Sequence, residues 1–224
     1  MEGIGGKLYI KGGSIQAYTK GIGAVIGSIA GTQDYGMKHI TITGGDVYCE
    51  VLESGGAAIG GGMKSTVPNI EINGGHVVVK AGRDCRAIGS GRYYTGKEGL
   101  LKIGGGQVIV YQGETAGKEY IAPIKLDKNT VLESQAVIIS IERMAESRDI
   151  DYVTSIDVSE LNKRVRLIIK EIDMDEEINL KEKGYFINVY SPAKKYCIVS
   201  RDEECIYLQS ESNEPREQED KEVY

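Results

Sequence analysis

The stretch Ile40-Thr-Ile-Thr-Gly-Gly-Asp-Val-Tyr-Cys49 occurs in four versions along this chain of 224 residues. The other three versions begin at Leu8, Ile70 and Leu101, so the motif returns about every 31 residues. In each version two apolar residues are spaced by two before the Gly-Gly pair, and two more are spaced by two after it. A period of two is typical of β-strands that bury one face. A unit of this length cannot bury its apolar face alone, so the repeat predicts a solenoid in which the units stack as successive coils.

The Gly-Gly pair predicts a corner in the chain. Five positions separate the inward residues of the two halves in every version, as from Ile42 to Val47. An odd interval would turn the second apolar set to the opposite face if the strand ran straight. Both halves can face one core only if the Gly-Gly pair bends or bulges, and glycine reaches the positive φ of such a corner at low cost.

A second element recurs between these versions and predicts a third short strand in each coil. It reads Gly23-Ala-Val-Ile-Gly27, Gly56-Ala-Ala-Ile-Gly60 and Cys85-Arg-Ala-Ile-Gly89. Stacking in register would place one internal ladder at Ile10, Ile42, Ile72 and Ile103, and another at Ile26, Ile59 and Ile88. Cys49 shares a column with Ala17, Val79 and Val110, so we expect it to be a buried thiol.

The distribution of glycine divides the chain, because 29 of the 30 glycines lie between Gly3 and Gly117. We therefore predict an all-β protein with a parallel β-helix of about four turns over residues 1–124, a small β-sandwich-like domain over residues 125–209, and a disordered acidic tail over residues 210–224. Seven segments of the second part are predicted as strands, namely 131–132, 136–141, 152–158, 164–169, 185–190, 195–199 and 206–208. Ser159 to Glu171 could instead form a helix, and the acidic run Asp173 to Glu177 is interpreted as a solvated turn.

Charge and hydropathy exclude several classes of protein. The net charge of -6 argues against nucleic acid as a main partner. No run of about 18 apolar residues exists, so membrane insertion is not expected, and no basic segment followed by an apolar stretch opens the chain as a secretory signal would.

The four cysteines form neither a dense disulfide framework nor a metal signature. Cys197 and Cys205 could pair across a C-terminal hairpin, although four free thiols are the favoured interpretation.

The first residues look like the end of an earlier coil. Gly3-Ile-Gly-Gly6 has the form of the corner that follows the short third strand. We expect the numbered chain to begin inside a repeat, so that its first coil presents an open edge prone to pairing with another chain.

The paired units Ile40-Thr-Ile-Thr-Gly-Gly-Asp-Val47 and Gly56-Ala-Ala-Ile-Gly-Gly-Gly62 resemble the repeats of bacterial carbohydrate-binding and adhesin-like surface proteins. The resemblance covers about residues 3–110, and the other three copies depart from it where the second reads IGGG. In those families the pattern is tied to a right-handed parallel β-helix, so the resemblance implies that fold and an extracellular or cell-surface location. Some members bind acidic polysaccharide, which makes a polysaccharide the partner that the resemblance implies.

Motifs that would carry catalysis or hold a cofactor have simpler structural explanations. The glycines from Gly21 to Gly27 have the spacing of a dinucleotide loop, but the same residues recur as a corner of the repeat. The loop from Gly91 to Lys97 has phosphate-loop spacing, but Glu98 stands where Ser or Thr would hold magnesium. Asp46 and His76 could ligate a metal, although a solvated pair is the favoured interpretation. We expect no catalytic residue, no metal and no cofactor.

Tyrosine is the enriched residue that suggests binding, with 14 in the chain. Outward-facing tyrosines suit sugar rings, which stack on aromatic faces and form hydrogen bonds at their edges. Tyrosine is also favoured in strands for packing alone. Lys80, Arg83, Arg86 and Arg92 make the third coil locally basic, as an anionic sugar would favour. The candidate ligand-binding residues are Tyr18, Tyr48, Lys80, Arg92, Tyr93 and Tyr94.

The sequence thus predicts a non-catalytic carbohydrate-binding or adhesive surface module, with an acidic polysaccharide as one candidate ligand. Two alternatives stay open: a purely structural spacer or cap within a larger surface protein, and a degenerate β-helix polysaccharide lyase. The sequence does not indicate an oligomeric state.

Overall fold

The structure of the protein is a computed structural model that describes residues 5–32, 36–116, 120–143, 153–158, 164–169, 174–179, 185–192, 194, 196–201 and 205–210. Within these residues the chain forms β-strands joined by turns, with no α-helix. No described segment is therefore a helix of the length and hydropathy needed to cross a membrane. The all-β prediction is confirmed.

The repeat region folds as a parallel β-helix. Its first coils consist of β1 (Lys7–Ile10), β2 (Ser14–Thr19), β3 (Ile26–Gly27), β4 (His39–Ile42), β5 (Asp46–Val51), β6 (Ile59–Gly60), β7 (Asn69–Lys80), β8 (Ile88–Gly89) and β9 (Leu101–Tyr111). Ile42 pairs in parallel with Ile10 on one side and with Ile72 on the other, and Ile72 pairs with Ile103. The second ladder from Ile26 through Ile59 to Ile88 is also parallel, and a bridge from Ile88 to Ile124 extends it. Both predicted ladders are confirmed.

The predicted corner or bulge at the Gly-Gly pair is confirmed in all four copies: it separates β1 from β2 and β4 from β5, whereas β7 and β9 continue through it with a shift of register. The second glycine of each pair has a positive φ, with 85° at Gly13, 95° at Gly45, 91° at Gly75 and 84° at Gly106. The corner absorbs the odd residue, so Ile42 and Val47 are both buried in one core although five positions separate them. Glycine is therefore what keeps the two halves of each coil facing the same interior.

The coil sheet continues beyond residue 124. Two further strands, β10 (Thr130–Leu132) and β11 (Val137–Glu142), both run parallel to β9. Leu132 pairs with Ile103 and Ile138 pairs with Val108, so these strands take the places of the next coil. The change in glycine content near residue 124 therefore does not mark a break in the sheet.

The remaining strands form a sandwich that shares this sheet. They are β12 (Val153–Asp157), β13 (Arg164–Ile169), β14 (Met174–Asn179), β15 (Phe186–Tyr190), β16 (Tyr196–Arg201) and β17 (Cys205–Ser210). β15 pairs antiparallel with β11 on one side and with β12 on the other, so β15 and β12 extend the coil sheet beyond β11. The other strands form a separate sheet in the order β14-β13-β17-β16. Ile139 of β11, Val189 of β15 and Leu167 of β13 lie in one buried cluster, so the two sheets pack face to face.

The strand predicted at residues 164–169 is confirmed as β13, and the helical alternative does not form there, because burial alternates along the strand and places Leu167 and Ile169 against the facing sheet. One expectation for this region is wrong. The acidic run expected to be a turn includes β14, which pairs antiparallel with β13. β14 lies at the edge of its sheet, and edge strands commonly carry charged residues that prevent pairing with another chain.

All four cysteines are free thiols. Cys49 is buried as predicted, and burial raises the pKa of its thiol to about 12. β16 and β17 form the predicted antiparallel hairpin, but Cys197 lies opposite Gln209, so it does not face Cys205. Residues 3–4 of the expected earlier corner (Gly3 to Gly6) and residues 211–224 of the expected acidic tail (210–224) lie outside the described residues, whereas Ser210 is the last residue of β17.

Candidate functional site

The six candidate residues fall into two groups. The first group, here called the aromatic face, consists of Tyr18, Tyr48 and Lys80 on the outer side of β2, β5 and β7. The rings of Tyr18 and Tyr48 lie 5.7 Å apart with their planes tilted by 53°. The ammonium of Lys80 lies 5.3 Å from the centre of the Tyr48 ring and 5.2 Å from that of Tyr111. Of the two candidate tyrosines, Tyr48 is therefore the one that Lys80 contacts, and its second ring contact is with Tyr111.

Internal contacts engage two polar groups of the aromatic face, the Tyr48 hydroxyl and the Lys80 ammonium. The Tyr48 hydroxyl donates a hydrogen bond to Oε2 of Glu50 at 2.5 Å. Burial and this acidic neighbour raise the pKa of Tyr48, so the phenol stays protonated across the physiological range. The Lys80 ammonium is engaged by two rings. Tyr18 is the most exposed of the three side chains of the aromatic face.

The second group lies at a corner between coils, where three residues share a left-handed backbone. The φ angle is 73° at Gly31, 54° at Lys64 and 59° at Tyr93. These residues occupy equivalent positions, because Gly31 N–H donates to Met63 O and Lys64 N–H donates to Arg92 O. The first coil fills the position with glycine, whereas the next two place a long side chain there. Backbone strain of this kind is common at ligand-binding sites, so this corner is a candidate binding site.

The corner borders an open cleft of about 580 Å³, here called the corner cleft. It is lined by Asp84, Cys85, Arg86, Ser90, Gly91, Arg92, Tyr93, Tyr94, Ala116 and Ile121. The Tyr93 side chain is 59% exposed. The Arg92 guanidinium lies 4.5 Å from the centre of the Tyr93 ring, and the Lys64 ammonium lies 5.9 Å from it. The Tyr94 hydroxyl donates to Lys97 O at 2.7 Å, and burial raises the pKa of Tyr94.

Acidic partners neutralise the arginines of the corner cleft. Nη2 of Arg92 lies 3.1 Å from Oδ2 of Asp84, and its Nη1 donates to Ser54 Oγ. Nε of Arg86 lies 3.2 Å from Oε1 of Glu98. The sequence suggested a basic patch on the third coil, but folding pairs these two arginines with carboxylates.

Sequence reasoning missed Asp84 and Lys64 as parts of this site. Asp84 has a φ of 57°, and its Oδ1 accepts a hydrogen bond from Ala116 N–H at 2.8 Å. It therefore ties the third coil to the following loop while it holds Arg92. The signal for Lys64 is its alignment with Gly31 in the repeat, since a side chain at a glycine position of a corner is unusual.

The possible metal pair is a two-residue contact. Asp46 and His76 are neighbours across β5 and β7, and Nδ1 of His76 lies 3.8 Å from Oδ1 of Asp46. In the part of the chain that the structure describes, no three His, Cys, Asp or Glu side chains are grouped as a metal site requires.

Comparisons of the chain with protein-family models, with curated proteins and with solved structures give no match. The assignment of the fold therefore depends on the strand pairing of this chain alone.

Proposed function

We propose that this chain is a non-catalytic carbohydrate-binding module of an adhesive kind, and that the corner cleft holds the sugar. The observation that carries the proposal is the exposed ring of Tyr93, presented by a strained left-handed backbone on the wall of an open cleft. Sugar rings stack on aromatic faces through their C–H groups, and an exposed ring in a concave site provides that contact.

The polar lining of the corner cleft supports the same ligand. The Arg92–Asp84 and Arg86–Glu98 pairs present planar donors and acceptors side by side. A hydroxyl-rich ligand can donate to the carboxylate and accept from the guanidinium of one pair. Because the side chains are already held by each other and by Ser54 and Ser90, little side-chain entropy is lost on binding.

The paired charges favour a neutral sugar over an acidic one. A uronic acid would have to compete with Asp84 and Glu98 for the two guanidinium groups. A neutral sugar needs no charge partner and keeps both ion pairs intact. An acidic polysaccharide is therefore the second ligand class to test, and the aromatic face is the secondary location.

An adhesive role and an extracellular or cell-surface location belong to the same proposal and derive from the resemblance of the repeats. Stacking contributes about 1 kcal/mol per ring, so a single cleft binds weakly. Firm attachment would need several copies on one surface, where linked sites gain avidity.

Calorimetry with neutral and acidic oligosaccharides tests the proposal. The Tyr93→Ala/Tyr94→Ala variant is expected to bind a neutral oligosaccharide about thirtyfold more weakly than the wild type, because two stacking contacts are lost. Tyr9→Ala is the matched control, since Tyr9 is also 59% exposed but lies on β1, away from both groups of candidate residues. This control should bind as the wild type does.

Other outcomes distinguish the alternatives. Absence of heat with every oligosaccharide, or equal affinity in the double variant, would contradict the cleft and favour a structural spacer. New unsaturated ends after incubation with pectins would contradict a non-catalytic role and favour a lyase.

A further inference from the structure

The first coil has open edges. Among the described residues, β1, β2 and β3 are each hydrogen-bonded to one neighbour, namely β4, β5 and β6. The interior of this coil is correspondingly less covered. Ile15 and Ala17 are partly exposed, whereas their counterparts in the second coil, Val47 and Cys49, are buried.

The backbone groups of every second residue of β2 point away from the second coil. Gly13 O accepts from Asp46 N–H, and Thr19 O accepts from Leu52 N–H, both at 2.8 Å. Because backbone groups alternate sides along a strand, Ile15 and Ala17 also face β5. The N–H and C=O groups of Ser14, Gln16 and Tyr18 consequently face the open edge.

Exposed apolar side chains are concentrated in this coil. Among the described residues eight large hydrophobic side chains are exposed, and four of them belong to the first coil. These four are Tyr9, Tyr18, Ile22 and Ile29. A hydrophobic surface next to unpaired strand edges is characteristic of an interaction site.

We propose that β2 pairs antiparallel with β2 of a second copy of this chain, about a two-fold axis at Gln16. A two-fold axis brings identical residues together, so a charged strand would repel its own copy. β2 reads Ser14-Ile-Gln-Ala-Tyr-Thr19 and carries no charge, whereas β1 contains Lys7 and the edge strand β14 is acidic. Among the described strands of the first coil, β2 is the longest and carries no charge, so it is the edge best suited to pairing with its own copy.

The register follows from the direction of the backbone groups. With Gln16 opposite Gln16 of the second copy, Ser14 lies opposite the second copy's Tyr18, and every edge-facing residue meets an edge-facing residue. Three such pairs make roughly six main-chain hydrogen bonds, because each pair exchanges two. Ile15 then lies opposite the second copy's Ala17, so the two open interiors join into one apolar core.

Sedimentation of the full chain tests this dimer. From micromolar to hundreds of micromolar concentration, the mass of the wild type is expected to rise from 24.4 kDa towards twice that value. Gln16→Pro removes an N–H that faces the edge and should keep the chain monomeric. Gln16→Thr retains that N–H without adding charge, so this matched control should dimerise as the wild type does.

A charge pair tests the position of the axis independently. Gln16→Lys and Gln16→Glu should each be monomeric at low salt because like charges meet at the axis, whereas an equal mixture of the two should restore the dimer. A wild type that stays at 24.4 kDa throughout the concentration range overturns the proposal. A Gln16→Pro dimer with wild-type circular dichroism, or a mixture that does not associate, also overturns it.

Discussion

A Cβ atom built on Gly60 would lie 2.0 Å from the carbonyl oxygen of Gly89 in the next coil. Gly27 has the same relation to Gly60, with a distance of 1.9 Å. Both glycines also have positive φ angles, of 143° and 146°. At this position the spacing of adjacent coils therefore leaves no room for a side chain, and glycine is required for close approach as well as for backbone conformation.

Gly60→Ala is therefore expected to lower the free energy of unfolding by about 3 kcal/mol, since it combines backbone strain with overpacking. Gly12→Ala is the control, because a Cβ at Gly12 meets no atom within 4 Å. It should change stability by less than about 1 kcal/mol. Urea unfolding of both variants measures the difference, and equal losses would contradict the role of close approach.

At the scale of elements, the corner that carries Tyr93 combines strain with side-chain contacts. Its left-handed backbone costs a non-glycine residue about 1–2 kcal/mol. The neighbouring Arg92 and Lys64 side chains contact the Tyr93 ring and offset part of that cost. The corner thus exposes the Tyr93 ring although the backbone conformation of that residue is unfavourable.

This balance predicts an inverted order of stability for two variants. Tyr93→Gly loses the ring contacts but also relieves the strain, whereas Tyr93→Ala loses the contacts and keeps the strain. The glycine variant should therefore be about 1 kcal/mol more stable than the alanine variant, the reverse of the usual preference. Thermal unfolding of the two proteins measures this order, and an alanine variant of equal or greater stability would count against strain at the corner.

Elements with a clear period were predictable from the sequence, and contacts between distant loops were not. The alternation of apolar residues around Gly44-Gly45 predicts both the strands and the corner. Ile42 and Val47 are five positions apart, so they can be buried in the same core only if the chain bends between them. β11 is buried at all six positions, so its apolar run predicts a strand without indicating which sheet it joins. The ion pair of Arg92 with Asp84 depends on how successive loops stack, and no local pattern encodes it.

At the scale of the whole molecule, β11 joins two hydrophobic cores. Ile138 points into the β-helix interior together with Tyr190, whereas Ile139 and Ile141 belong to the core between the two sheets of the sandwich. The sandwich therefore uses the last strands of the solenoid as one of its own layers. Solenoids can unfold coil by coil, but a layer shared by two cores couples their stabilities.

We therefore expect both cores to unfold in one transition. Ile138→Ala and Ile139→Ala should each lower the free energy of unfolding by about 2–4 kcal/mol, because each leaves a cavity in a packed core. Val131→Ala is the control, since Val131 is 44% exposed and its truncation should cost less than about 0.5 kcal/mol. Hydrogen exchange in increasing urea measures the stability of each core separately. The amides of β5 and β7 report on the β-helix core, and those of β15 and β17 report on the core between the two sheets. Either core variant should shift the loss of protection of both amide sets to lower urea by the same amount. If Ile139→Ala destabilised only β15 and β17 and left β5 and β7 protected as in the wild type, the shared layer would not couple the cores.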